Sequence, residues 1–524
     1  MNLSRRSFLS KTGAGLTGAV IAGGSSLQAQ EEASSSRDKA GKPPNILFIM
    51  SDDHAVNAIG CYGKRLAGLN GTPNIDRLAQ EGMRLDRCYC TNAICVPSRA
   101  SILTGTYSHE NGVYSLRDAL DPELPNVAQM LQQAGYQTAV MGKWHLKTEP
   151  SGFDDWKVLP GQGAYHNPVF KEKGGGQKRY EGYSADVIGD LTLDWLKQRD
   201  PEKPFMMMCH FKAPHEPWGY ADRFSDFLAD ETIPEPDSLW EDKSHRSEGS
   251  RELGFTIDTM AQRQERPNYH HDGPVDFSGL SEEEKRAKAY QIFTKRYLRA
   301  CKGVDDNIGR LLDYLDENGL RDNTVVIYTS DQGYFLGEHN YIDKRWMYEE
   351  AIQMPFVVRY PGEIEAGSET QAMVLNVDFP ALFLDYAGLS APAYMQGRSF
   401  RPVLQGKTPS DWRTSMYYRY WLHTNRPAHY GIRTERYKLI FFYGLPLDVS
   451  GASEETTPAG FELYDLEKDP HERQNVYGDP QYEAVAKRLK QELLQLKREL
   501  GDTDAEYPEL LALQREYFAD VMGQ

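Results

Sequence analysis

Unbroken apolar runs separated by stretches of helical period dominate the first four hundred residues. Asn45–Met50 reads Asn-Ile-Leu-Phe-Ile-Met and stops at Ser51-Asp52-Asp53-His54, and Thr324–Thr329 repeats the pattern before Ser330-Asp331-Gln332-Gly333. Apolar residues at consecutive rather than alternate positions predict strands buried on both faces, as in a parallel sheet. Tyr136–Met141, Pro204–Phe211 and Pro355–Tyr360 read the same way. Between them, apolar spacings of three and four predict helices. One is opened by Thr72-Pro73, with Ile75, Leu78 and Ala79 inward; one is opened by Pro125 and stopped by Gly135; others cover Tyr183–Arg199, Ala289–Asn318 and Asp378–Ala387. Strands alternating with helices predict an α/β fold built on a large, doubly wound mixed sheet.

From about Ser415 the texture changes. Ser415–Trp421, Tyr430–Arg433, Lys438–Tyr443 and Phe461–Leu466 are short and aromatic, and a charged helix over Glu483–Leu500 follows. This predicts a smaller antiparallel sheet packed with a C-terminal helix. Residues 221–288 are polar, with Pro and His clusters and little period, and read as an insertion near the mouth of a site. The expected organisation is a leader over 1–30, a flexible polar linker over 31–43, a catalytic α/β domain over 44–410 and an α+β subdomain over 411–524.

The leader is an address. Arg5-Arg6 with Phe8-Leu9, a Gly/Ala-rich run from Gly13 to Gly24 and the small-residue exit Leu27-Gln28-Ala29 resemble a twin-arginine export signal. That resemblance implies passage through the twin-arginine export machinery and a periplasmic or extracellular location. No later segment is long and apolar enough to span a membrane, so no stable membrane insertion is expected. The 524 residues carry 59 Lys+Arg against 76 Asp+Glu, a formal charge of −17. A chain this acidic lacks the basic face of a general nucleic-acid binder, so nucleic acid is excluded as a partner. Six cysteines are too few for a disulfide scaffold.

The polar groups past the two matching strand ends carry the first chemical signal. Open α/β sheets bind ligands beyond their strand carboxyl ends. Were those strands neighbours, Asp52, Asp53 and Asp331 would converge with the Gln332 amide, and carboxylates so close repel unless a cation lies between them. An all-oxygen set favours a hard ion, Ca²⁺ or Mg²⁺. Asp and Ser also cap following helices, and either reading fits each pair alone. The second signal is Cys95-Val96-Pro97-Ser98-Arg99-Ala100-Ser101-Ile102-Leu103-Thr104-Gly105. Pro97 suits a first helical turn, which sets Cys95 at the helix N-terminus, where free N–H groups favour an anion or an activated nucleophile. Arg99 follows one turn later on the same face.

That eleven-residue string resembles the C-x-P-S-R-x-x-x-L-T-G signature of type I sulfatases in the alkaline-phosphatase superfamily. The resemblance implies that a formylglycine-generating maturation enzyme oxidises Cys95 to formylglycine (3-oxoalanine). An aldehyde hydrate has one hydroxyl to attack sulfur and a second whose deprotonation expels sulfate. It implies one Ca²⁺ held by Asp52, Asp53, Asp331, Gln332 and the modified Cys95; many relatives carry Asn or His where Gln332 stands. Gly142-Lys143-Trp144-His145-Leu146 resembles the family's G-K-W-H motif, making Lys143 a sulfate contact and His145 an aid to elimination. Ala213-Pro214-His215-Glu216-Pro217 makes His215 the acid for the leaving alcohol, and Asp343-Lys344-Arg345 makes Lys344 a second sulfate contact. The catalytic set is then Cys95, Arg99, Lys143, His145, His215 and Lys344.

Substrate choice is written in loops. The stretch Ser330–Gly362, with Gly152–Trp156 and Leu159–Gly163, resembles the glycan-desulfating branch, including N-acetylglucosamine-6-sulfatases and mucin-desulfating enzymes. The expected partner is a sulfated glycan, first among them 6-O-sulfated N-acetylglucosamine. An arylsulfatase, another glycan O-sulfatase such as an iduronate-2-sulfatase, a phosphate or phosphonate ester hydrolase, or a silent glycan-binding protein are the alternatives. His166, Asn167, His423, Arg426, His429 and Arg433 are candidate sugar contacts. Trp421 and Tyr430 either stack on a sugar or fill the small sheet. Cys61, Cys88, Cys90, Cys209 and Cys301 read as packing residues.

Overall fold

The computed structural model describes residues 42–522, and the proposed export signal and most of the linker lie outside them. The apolar runs pair as their composition demands. Thr324–Ser330, Asn45–Ser51, Phe205–His210, Gln137–Lys143 and Asp155–Leu159 lie side by side and parallel in the middle of a ten-stranded sheet. Phe356–Arg359 joins one flank antiparallel, and Val169–Glu172 with Gln177–Arg179 form the other edge. Alternate residues of Asn45–Ser51 enter opposite cores: Ile46, Phe48 and Met50 face one, Leu47 and Ile49 the other. Burial on both faces is why these strands are apolar throughout.

One core is closed by helices Cys95–Thr104, Val127–Gln133 and Phe379–Tyr386, the other by Pro73–Gln80, Ser184–Gln198 and the second half of Glu282–Glu317. Two helix starts differ from the sequence reading. Pro125 is not the first helical residue: Asn126 caps the helix, its side chain accepting from Gln129 N while Gln129 reaches back. The long helix begins at Glu282 rather than near Ala289, because Ser281 and Glu284 form a capping box. Its first turns are polar, so apolar period could not mark them. They carry the 221–288 segment, whose Leu239, Ile257, Met260 and Phe277 pack against Phe293 and Tyr297 of the helix in a third core.

The antiparallel sheet forms as expected, in the order Ser415–Tyr420, His429–Thr434, Tyr437–Phe442, Gly460–Asp465. Helix Glu483–Glu499 packs on it through Leu489 and Leu493. All six cysteines are free thiols; Cys61 is half-buried and the others are buried. No described helix is long and apolar enough to cross a membrane.

Candidate active site

Five parallel strands end on one edge of the sheet, and each delivers polar groups there. Asp52 and Asp53 follow Asn45–Ser51, Asp331 and Gln332 follow Thr324–Ser330, Lys143 ends Gln137–Lys143, Lys212 and His215 follow Phe205–His210, and Gln162 follows Asp155–Leu159. Opposite them stands the N-terminus of helix Cys95–Thr104, with Cys95 its first residue and Ile94 the cap. Cys95 Sγ lies 3.4 Å from Asp52 Oδ1 and 3.9 Å from Gln332 Nε2. The sequence reading placed it there from Pro97.

Carboxylate oxygens of Asp52, Asp53 and Asp331 lie within 4.8 Å of one another, as do ligand atoms of Asp52, Cys95 and His215. Three basic side chains meet them. Lys143 Nζ bonds Asp52. Lys344 Nζ donates to Asp53 Oδ2 at 2.5 Å. Arg99 Nε donates to Asp331 Oδ2 at 2.9 Å, and its Nη1 to the Lys143 carbonyl at 2.6 Å. The formal charges of these six side chains cancel, so a chain of net −17 holds a locally balanced pocket.

Burial raises all three acids, and their neighbours then divide them. For Asp52 the Lys143 ammonium, then His215 and Arg99, overcome burial and hold it well below the ordinary carboxylate range. Asp53 is pushed up to about 6 by burial, with Lys344 opposing. Asp331 is pushed up to about 7 by burial and then by repulsion from Asp52. Even with the formal charges balanced, burial keeps Asp53 and Asp331 raised, a state a bound cation relieves. Gln332 agrees: its Nε2 turns to Asp53, and its buried Oε1 has no hydrogen-bond partner. Three carboxylates and a free amide oxygen form an oxygen set fitted to a hard cation. Adding Ca²⁺ should therefore raise the thermal midpoint, with about 2.7 kcal/mol of stabilisation at a hundred times Kd. Asp331→Asn should shrink the rise in a calorimetric scan; an unchanged midpoint would count against the cation.

Burial, helped by Asp52, pushes the Cys95 thiol up to about 12. As a thiol it stays protonated near neutrality and is a poor nucleophile. His215 is held neutral by burial and then by Lys143; its Nδ1 lies 2.6 Å from the Glu216 carbonyl and its Nε2 3.7 Å from Asp53. His145 is pushed down to about 2 by burial and then Lys143, and its Nδ1 is buried without a partner.

A cavity of about 120 Å³ opens on Asp53, Cys95, His215 and Lys344, with Gln162 and Arg345 among its walls. His145 lines a neighbouring cavity beside Trp144 and Trp156 instead. Gln162 and Lys212 were not singled out in the sequence. Gln162 Oε1 accepts from Lys143 at 2.5 Å. Lys212 is buried with its ammonium 4.6 Å from the Tyr165 ring centroid, and burial, then Lys143, brings it down to about 7. Both stand just past the end of a parallel strand, the rule that had picked out Asp52 and Asp331.

None of the six expected sugar contacts lines this cavity. His429 is sealed among Trp346, Tyr418 and Phe442. Arg426 bonds Asp343, which is a wall residue, and His423 contacts the Glu455 carbonyl at 2.8 Å. Arg433 pairs with Glu349, while His166 and Asn167 border a separate surface cleft. Trp421 and Tyr430 are buried and fill the small sheet. His429, Tyr430 and Arg433 share one strand of this sheet and are all buried because it is packed on both faces, which their polarity does not reveal.

Comparison with known proteins matches the sulfatase family model over residues 44–389 and the C-terminal model of N-sulphoglucosamine sulphohydrolase over 337–499. An N-acetylglucosamine-6-O-sulfatase of Bacteroides thetaiotaomicron is 41% identical over 89% of this chain and 88% of its own. An arylsulfatase of Clostridium perfringens is 28% identical over 88% of this chain and 96% of its own. A solved structure described as a complex with its substrate D-glucosamine-2-N,6-O-disulfate superposes with TM-score 0.79 at 39% identity, over 89% of this chain and all of that one. A phosphonate monoester hydrolase from Silicibacter pomeroyi shares the fold, at TM-score 0.67 and 23% identity over 88% of this chain and 97% of its own. The chain belongs to the sulfatase family and is a sulfuric ester hydrolase of alkaline-phosphatase-like fold.

Proposed function

We propose that this enzyme hydrolyses sulfate monoesters on glycans, first among them 6-O-sulfated N-acetylglucosamine, at the Cys95 pocket. The observation that carries the reading is the meeting of Cys95 with three carboxylates and three cations at one strand edge. The N-acetylglucosamine-6-O-sulfatase named above, and the glucosamine disulfate in the solved relative, support the choice of sugar.

Lys344 lines the pocket and Lys143 stands behind it on Asp52 and Gln162, and both would hold sulfate oxygens. Arg99 holds the strand end that carries Lys143 by donating to both Asp331 and the Lys143 carbonyl. Its Nη2 is buried without a hydrogen bond and adds a fixed positive charge there. His215, 3.7 Å from Asp53, would gain a proton when the anionic sulfate enters and pass it to the leaving sugar oxygen, and neutral His145 would accept the proton lost in sulfate expulsion. Asp52, Asp53, Asp331 and Gln332 would hold Ca²⁺, which when bound polarises a sulfate oxygen and stabilises the attacking oxygen. Conversion of Cys95 to formylglycine by a maturation enzyme would supply the gem-diol nucleophile that a protonated thiol cannot. The leader reading adds delivery by the twin-arginine machinery to the periplasm or outside the cell.

Sulfate release should be fastest from 6-sulfo-N-acetylglucosamine within a panel that includes a 2-O-sulfated uronic acid and matched aryl sulfate and aryl phosphate esters. Chromatography of the products reads it. Preference for the phosphate ester would overturn the reaction class, and preference for the 2-O-sulfate would overturn the sugar.

A further inference from the structure

The largest cavity among those described is not the catalytic one. It has a volume of about 680 Å³, within the ~300–1,000 Å³ range of ligand sites, and shares no wall residue with the Cys95 cavity. Its walls come from the loop after Asp53, the Asp86–Tyr89 strand region, residues 235–238, the Glu349–Gln353 segment and the C-terminal loop at 470–473.

Five Lys or Arg and six Asp or Glu side chains line it, so the wall has almost no net charge but is dense in donors and acceptors. That balance disfavours an anion, which the interleaved carboxylates would repel, and it disfavours an apolar ligand. It suits hydroxyl groups, each of which both donates and accepts. Several wall groups are unspent. Arg473 and His471 enter no hydrogen bond or ion pair among the described residues, and both are exposed. Glu350 is nine-tenths buried and its Oε2 has no hydrogen-bond partner. Burial, then repulsion from Glu338, raises Glu350 to about 8, so near neutrality it is a carboxylic acid able to donate. At the rim, Trp240 Nε1 donates to the wall residue Glu235 at 2.9 Å, leaving the indole 43% exposed. The Arg286 guanidinium lies over one face of the indole, 4.9 Å from the ring centroid, and the exposed remainder stands open to the C–H face of a sugar ring.

We propose that this cavity is a second saccharide site, taking uncharged, hydroxyl-rich sugar units. The choice of sugar in the test rests on the glycan reading above, but the cavity's chemistry does not. Binding of an unsulfated N-acetylglucosamine tetrasaccharide is measured by calorimetry on the whole enzyme, on Trp240→Ala/Arg473→Ala, on Asp237→Trp to plug the mouth, and on Lys344→Ala in the catalytic pocket. The expected result is binding by the parent, at least fivefold weaker binding by both cavity variants, and unchanged binding by Lys344→Ala. No binding by the parent would overturn the site. So would loss in Lys344→Ala with retention in the cavity variants, which would place the sugar in the catalytic pocket. The readout is binding without turnover, so failure of the sulfatase substrate reading appears separately, in the sulfate-release panel.

Discussion

Replacing Cys95 by alanine or serine should remove sulfate release almost entirely, by roughly 10⁴-fold or more in kcat, as loss of a covalent nucleophile does. The side chain is buried, contacts Asp52 and Gln332, and makes no backbone capping bond. Alanine therefore deletes one small group from a helix whose fold rests on Val96, Ala100, Ile102 and Leu103. Serine is the sharper control. It keeps an oxygen at the same point, yet after attack on sulfur it would be left as a stable sulfate ester with no second hydroxyl to expel sulfate. A burst without turnover in the serine variant fits the account; steady turnover by the alanine variant would end it. Circular dichroism and a thermal scan separate lost chemistry from lost fold.

Replacing Arg99 by alanine should cost both activity and stability. Its guanidinium bonds Asp331 at 2.9 Å and the Lys143 carbonyl at 2.6 Å, with a further approach to Asp52 at 3.8 Å. Removal leaves Asp331 buried without its cation, at a cost of about 3–5 kcal/mol for breaking such a pair. It also frees the strand end that aims Lys143, so kcat/KM should fall by roughly 10²–10³-fold. Lysine at this position restores one charge but cannot span both partners. Arg99→Lys should therefore recover much of the stability and little of the activity. Equal recovery of both would mean that Arg99 acts only as a buried counter-charge.

These two residues were legible in the sequence because helix-start chemistry and the eleven-residue string agree there. The sheet was legible for a related reason: strands buried on both faces leave continuous apolar runs, and polar residues immediately past them mark the ligand edge. The same edge rule, applied to every parallel strand, would have added Lys212 and Gln162. Hydrophobic period failed at Ser281–Lys288, where the helix projects polar turns and only the Ser281–Glu284 box marks its start. It failed again for His429, because an antiparallel sheet with packing on both sides buries a residue that composition reads as surface. His145 stands apart for a conformational reason. Its φ of 64° turns the chain just after Lys143, and the ring borders the adjoining cavity, a direction no motif encodes.

The charge balance explains how an acidic chain can take an anionic substrate. Most of the surface repels polyanions only within a Debye length of about 8–10 Å. At the strand edge, Arg99, Lys143 and Lys344 offset Asp52, Asp53 and Asp331, so a bound cation would leave the pocket positive at short range.

The central claim is that chemistry runs through a modified Cys95. The most direct test is the mass of the peptide carrying Cys95–Arg99, from protein made with a maturation enzyme, measured alongside sulfate release by the same preparation. The account predicts the aldehyde in place of the thiol, with specific activity rising in proportion to its fraction. Full activity from a preparation whose Cys95 is entirely unmodified thiol would contradict it.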